Sequence, residues 1–103
     1  MYKVCFYVPE SHLESVKQAL FAAGAGRQGD YDQCCWQTLG EGQFRPLAGS
    51  KPYLGKTHCL SRVREYKVEM LCEEKIIANV LATLRKCHPY EEPAFDVIRL
   101  ETP

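Results

Sequence analysis

The sequence predicts an α+β sandwich with four strands and two helices in the order β-α-β-β-α-β. Three observations lead there. Apolar residues alternate with a period of two over 2–8 and 62–72; they recur at helical spacing over 13–23 and 77–84; and a Gly- and Pro-rich stretch with neither period separates the two halves. At 103 residues the chain is expected to be one domain over 1–103, with room for a single core.

Each element carries its own signal. In "YKVCFYV" (2–8), Tyr2, Val4, Phe6 and Val8 share one face, the pattern of a half-buried strand. "PESHLESVKQALFAAG" (9–24) reads as a helix. Ser11 and Glu14 have the spacing of a capping box, Leu13, Val16, Leu20 and Ala23 make the inward stripe, and Gly24 is the expected C-cap. A loop then leads to a second strand, expected around Tyr31–Thr38. Residues 40–58, "GEGQFRPLAGSKPYLGKTH", have no helical period, yet Phe44, Leu47, Tyr53 and Leu54 are spaced through them. An ordered excursion with apolar anchors is expected there, not a free linker.

The third strand, "RVREYKVEMLC" (62–72), turns Tyr66, Val68, Met70 and Cys72 inward and Glu65, Lys67 and Glu69 outward. "EEKIIANVLATLRKC" (73–87) is a second helix with Ile77, Val80, Leu81 and Leu84 inward. Its acids come first and Arg85 and Lys86 last, matching the helix dipole. His88-Pro89 stops that helix, and "AFDVIRL" (94–100) is the last strand. Two β-α-β halves with right-handed crossovers and both helices on one face form a ferredoxin-like sandwich, with an elaborated excursion between the second and third strands. The opposite face of the sheet is left bare. Its mixture of charges with Val63 and Leu71 is that of an oligomer contact.

Composition narrows the partners. Thirteen basic and thirteen acidic side chains cancel, and no basic stripe offers a phosphate footprint, so nucleic acid is not an expected partner. No apolar run is long enough to cross a bilayer and "MYKVCFYVPES" has no signal-peptide pattern, so a cytoplasmic location with no membrane contact is expected. The six cysteines lack any C-x-x-C, and Cys5 and Cys72 lie inside apolar strands; they are expected to be reduced and mainly structural.

The densest chemistry is "KCHPYEEPAF" (86–95), where a thiol, an imidazole, a phenol and two carboxylates crowd between prolines. Two readings stay open. His88 can cap the helix and be oriented by a nearby carboxylate, making the turn a lock. Alternatively, the neighbouring Glu91 and Glu92, which repel each other unless one meets a cation or solvent, belong to a ligand site. His58 and Cys59 in "THC" are read as an exposed loop pair and His12 as solvated surface. "GEGQF" lacks the Lys-Ser/Thr of a phosphate loop, and "GAGRQG" follows a helix instead of a strand. No Ser-His-Asp order or paired-carboxylate pattern stands out, so no catalytic residue is nominated and an enzyme is the less favoured reading.

"GAGRQGDYDQCCWQTLGEGQFRPLAGSKPYLG", "VREYKVE" and "HPYEEPAFDV" together resemble the PII/CutA-like domain found inserted in YqfO-type proteins and in short YqfO-family proteins. The most specific pieces are Tyr31 with Cys34, Gly40-x-Gly42-x-Phe44-x-Pro46, Pro52-Tyr53-x-Gly55, Glu65 with Glu69, and His88 through Pro93. The turn also resembles that of the CutA proteins, which are linked by name to divalent-cation tolerance. The resemblance implies a trimer with its sheets around a central axis. It does not transfer the dinuclear metal site of the longer proteins' flanking domains, because no residue here corresponds to those ligands. Where the family has Ser-Phe after the cysteine this chain has Cys35-Trp36, which leaves a redox or soft-metal role for Cys34 open.

These observations combine into one leading expectation: a non-enzymatic trimeric module that binds a small ligand or a divalent metal ion between subunits. Its candidate ligand residues are Tyr31, His88, Tyr90, Glu91 and Glu92, with His88 and Glu92 as candidate metal ligands. The alternatives are a regulatory or accessory part of a metal-dependent, GTP-cyclohydrolase-like hydrolase, and a purely structural assembly domain.

Overall fold

The computed structural model describes residues 1–101. Strand β1 (Tyr2–Pro9) leads through a 3₁₀ turn (Glu10–His12) into helix α1 (Leu13–Ala22). Strands β2 (Trp36–Phe44) and β3 (Ser61–Cys72) follow. A second 3₁₀ turn (Glu74–Ile76) opens helix α2 (Ile77–Cys87), and β4 (Phe95–Arg99) closes the sheet. The four strands lie in the order β2-β3-β1-β4, every neighbouring pair antiparallel. This is the ferredoxin-like α+β arrangement that the periodicities predict.

The alternating apolar residues do build the core. Val4, Phe6 and Val8 from β1 and Val68, Met70 and Cys72 from β3 form the floor, and Leu13, Val16 and Leu20 of α1 with Val80 and Leu84 of α2 cover it. Phe6, Leu20 and Leu84 are among the largest fully buried side chains, each stabilising the fold by about 1.5–3 kcal/mol through its removal from water. Helix α1 ends in a Schellman motif: the Ala25 N–H donates to the Leu20 carbonyl at 3.1 Å and the Gly24 N–H to the Phe21 carbonyl at 3.0 Å. Gly24 has φ +105°, and a Cβ there would stand 2.9 Å from Ile76 Cδ1, so glycine is required both for the turn and for the packing of α1 against the start of α2.

Two local expectations are corrected. The Ser11–Glu14 capping box does not form, because the chain enters α1 through a 3₁₀ turn. Ser11 Oγ instead sits 2.9 Å from His12 Nδ1, and Glu14 accepts from Lys17 Nζ at 2.9 Å. The second strand is displaced toward the C-terminus, covering Trp36–Phe44 instead of Tyr31–Thr38. Gly40 and Gly42 are poor strand formers, but the β3 template pairs them opposite Glu65 and Val63. The segment before it is a loop, closed by reciprocal backbone hydrogen bonds between Gln28 and Tyr31 at 2.9 and 3.0 Å.

The face of the sheet away from the helices carries Trp36 from β2, Glu65, Lys67, Glu69 and Leu71 from β3, and Lys3 and Tyr7 from β1. Lys3 Nζ lies 3.4 Å from Glu69 Oε1 across two strands, while Trp36 and Ile98 are 70% and 50% exposed. All six cysteines are free thiols; Cys5 and Cys72 are buried, and burial pushes both thiols above their ordinary range.

Candidate functional site

Helix α2 ends where Pro89 forbids its continuation, and His88 at the C-cap has turned to extended backbone with φ −73° and ψ 138°. The extended backbone there carries the imidazole back under the sheet. His88 is 6% exposed, a rare degree of burial for a polar side chain, and both ring nitrogens are occupied. Nδ1 accepts from the Tyr90 N–H at 3.1 Å, which assigns the proton to Nε2, where it is donated to the Tyr7 carbonyl at 2.6 Å. The pairing of β4 with β1 stops at Phe6, and His88 takes the next carbonyl along that edge. Burial holds the imidazole below its ordinary pKa, against smaller opposing effects of the Tyr7 carbonyl bond and the Glu65 charge.

With both nitrogens bonded to backbone groups, the neutral ring presents no free lone pair in this geometry. Among the described residues no cluster of three or more His, Cys, Asp or Glu side chains is placed to hold a metal ion. His88 locks the turn.

What the lock positions is Tyr90. Its ring lies 4.9 Å from that of His88, 6.2 Å from Phe44 and 6.3 Å from Tyr53. Phe44 ends β2 and Tyr53 belongs to the excursion, so the turn and the excursion face each other over the end of the sheet. Glu91 ties the two together, its Oε1 accepting the Lys51 N–H at 3.1 Å. Tyr53 also meets His12 edge-on at 5.4 Å, which makes His12 a packing contact instead of free surface.

Between them is a cleft of about 500 Å³, within the range of small-molecule sites. Its walls are largely apolar, with Phe44, Leu47 and Tyr53 on one side and Tyr7 and Tyr90 on the other; Glu65, Glu91 and Glu92 supply carboxylates. The Tyr90 hydroxyl is buried without a hydrogen-bond partner. The Glu65 carboxylate is its neighbour; burial first, then Glu65, pushes the Tyr90 phenol far above its ordinary pKa. Glu65 rests where Gly42 leaves room, since a Cβ on that glycine would overlap the carboxylate.

Three of the expected ligand residues, Tyr90, Glu91 and Glu92, line this cleft, and His88 stands behind it. Tyr31 does not join them. It is 75% exposed in the loop that leads from α1 to β2, where Gly26 and Leu71 are hydrogen-bonded at the opposite end of β3 from Glu65. Sequence reasoning missed Phe44, Tyr53 and Glu65 as members of one site. Their signal is the β2–β3 register, which sets Gly42 two places along β2 from the residue opposite Glu65, where it leaves no side chain in the carboxylate's way. His58 and Cys59 are exposed in the excursion, as read from the sequence.

No family model matches the chain. Curated relatives named "GTP cyclohydrolase 1 type 2 homolog" do: the protein from Mycobacterium tuberculosis is 45% identical over 101 residues, covering 98% of this chain and 27% of its own length. That from Bacillus subtilis is 38% identical over 99 residues, with 96% of this chain and 26% of the relative covered. The chain thus spans about a quarter of the length of the curated relatives it matches. Among solved structures, a Bacillus cereus protein related to NIF3 superposes with a TM-score of 0.83 at 36% identity, over 98% of this chain and 26% of that one. The periplasmic divalent cation tolerance protein CutA from Archaeoglobus fulgidus superposes with a TM-score of 0.69 at 15% identity, over 100% of this chain and 87% of that one. At that identity the CutA likeness concerns the fold alone. By sequence and by fold, the chain is similar to a segment about a quarter of the length of the proteins named GTP cyclohydrolase 1 type 2 homolog and of the NIF3-related protein, and it shares the fold of CutA.

Proposed function

We propose that this protein is a non-enzymatic binding module that assembles as a homotrimer through the bare face of its sheet and holds a small ligand in the cleft beside Tyr90. The observation that carries the reading is the cleft itself: an aromatic-walled space of about 500 Å³ with a buried phenol that has no partner. A buried hydroxyl without a hydrogen bond is unfavourable, and such groups in native structures point to something that completes them. Assembly is supported by the exposed Trp36 and Ile98 on the face that the helices leave uncovered. The site residues of this reading are Tyr90, Glu91 and Glu92 with Phe44, Tyr53 and Glu65, and His88 acts as their support.

A thermal-shift screen of a mixed metabolite set tests it, run in parallel on the wild type and on Gly42→Ala, whose methyl displaces the Glu65 carboxylate. Compounds that raise the wild-type melting temperature and lose that effect in the variant support the cleft. A hit that the variant binds equally well, or no hit with a turnover detected, counts against it. The name carried by the curated relatives favours a second reading, an accessory role beside a GTP-cyclohydrolase-like enzyme. Its test is whether adding this chain changes the GTP cyclohydrolase activity of a separately produced partner domain.

A further inference from the structure

We infer that the ligand of this cleft carries a primary ammonium group on an apolar body, an inference that rests on the small-ligand reading above. The charged side chains lining the cleft are Glu65, Glu91, Glu92 and Arg45, three carboxylates against one cation. None of the three carboxylates forms an ion pair among the described residues, and Glu91 is met only by a backbone N–H. An anionic ligand would enter against this excess of negative charge. A cation would relieve it.

The walls fit the same occupant. Phe44 and Tyr53 lie beside the Tyr90 ring at centroid distances of 6.2 and 6.3 Å, tilted by 50° and 47°, so neither stacks flat on it, and all three line the cleft. Aromatic faces attract an ammonium through the ring quadrupole, and they pack against its hydrocarbon. Leu47 and Leu54 remain 57% and 37% exposed on the excursion side, offering apolar surface to the ligand's body.

The choice of a primary amine comes from the Tyr90 hydroxyl. It is buried and unpartnered, with the Glu65 carboxylate beside it resting over Gly42. An R–NH₃⁺ group has three donors and no acceptor; it can donate one hydrogen to the phenol oxygen and another to the carboxylate, completing both. A quaternary ammonium would satisfy the charge and leave the hydroxyl unpaired. A bare metal ion lacks a sufficient ligand set here, because His88 has both nitrogens engaged.

Isothermal titration at pH 7.5 with four probes that share one apolar body tests the inference: 2-phenylethylammonium, its N-trimethyl analogue, 2-phenylethanol and 3-phenylpropionate. The ammonium is expected to bind saturably at one per chain, with the alcohol and the carboxylate at least about tenfold weaker and the trimethyl analogue between them. Glu65→Gln should weaken the ammonium about tenfold, and Tyr90→Phe about threefold without lowering the melting temperature. Propionate binding as tightly as the ammonium, ammonium affinity indifferent to both substitutions, or no binding of the ammonium would each overturn the inference. Propionate or a nucleotide that binds the wild type and not Gly42→Ala would overturn it while leaving the small-ligand reading intact. Failure of every compound in the metabolite screen as well would remove both.

Discussion

Replacing Tyr90 by Phe should make the free protein more stable, although it removes a polar group from the most chemically crowded turn in the chain. The substitution keeps the ring against His88, Phe44 and Tyr53 and deletes only the buried hydroxyl that has no partner. An unsatisfied buried polar group costs roughly 1–3 kcal/mol, and the space left by one oxygen gives back part of that, so a net gain of about 1 kcal/mol is expected. For a domain of this size, that corresponds to a rise of about 4–8 °C in melting temperature. Thermal and urea unfolding, followed by circular dichroism, measure it; both proteins must be at equal concentration, because the proposed assembly would make stability concentration-dependent. A loss of about 1 kcal/mol or more would refute the reasoning. It would mean that the hydroxyl is bonded in the free protein, by a rotated Glu65 carboxylate, and that the cleft has no group awaiting a ligand.

Other outcomes follow from the same geometry. His88→Ala removes two hydrogen bonds and leaves the Tyr7 carbonyl and Tyr90 N–H unpaired, so urea unfolding should show a loss of about 2–4 kcal/mol with little change in zinc or copper titration. Because burial lowers the His88 pKa from its ordinary 6.5, the folded ring binds its proton less readily than the unfolded one. The wild type's stability should therefore be constant above about pH 6.5 and fall as pH drops below it, levelling off under the folded pKa; His88→Gln should flatten that window. Glu69→Ala leaves Lys3 without its partner 3.4 Å away on the bare sheet face and should loosen the proposed trimer in sedimentation equilibrium, whereas a wild-type monomer at micromolar concentration would count against assembly altogether. A thiol reagent should label exposed Cys59 first and reach Cys5 and Cys72 only after unfolding, since burial both shields these two and raises their pKa.

Most of the fold was legible because its core is regular. Period-two alternation on β1 and β3 and the stripes of α1 and α2 each assign nearly every buried residue to the correct face. The second strand was legible only in part. Gly40 and Gly42 argue locally against a strand, and what makes them one is the pairing offered by β3, a contact that no single segment encodes. The same register decides the site. The turn 88–92 announces itself by composition, yet its partners Phe44, Tyr53 and Glu65 lie 23 or more positions away and converge only when β2 pairs with β3 and the excursion folds back. Tyr31 was drawn in by the motif resemblance, and the loop bridge from Gln28 to Tyr31 keeps it at the far end of the sheet. His88 was chemically conspicuous and structurally occupied: a residue type suited to metals spends both nitrogens on the backbone.

An amide chemical-shift map of isotopically labelled protein, titrated with the metabolite set, tests the central claim most directly. Ligand binding in the cleft predicts perturbations centred on residues 42–54, Glu65 and 88–92, with the Gln28–Trp36 region unaffected. Perturbations centred on Gln28–Trp36, or on the outer sheet face with residues 88–92 unmoved, would contradict it.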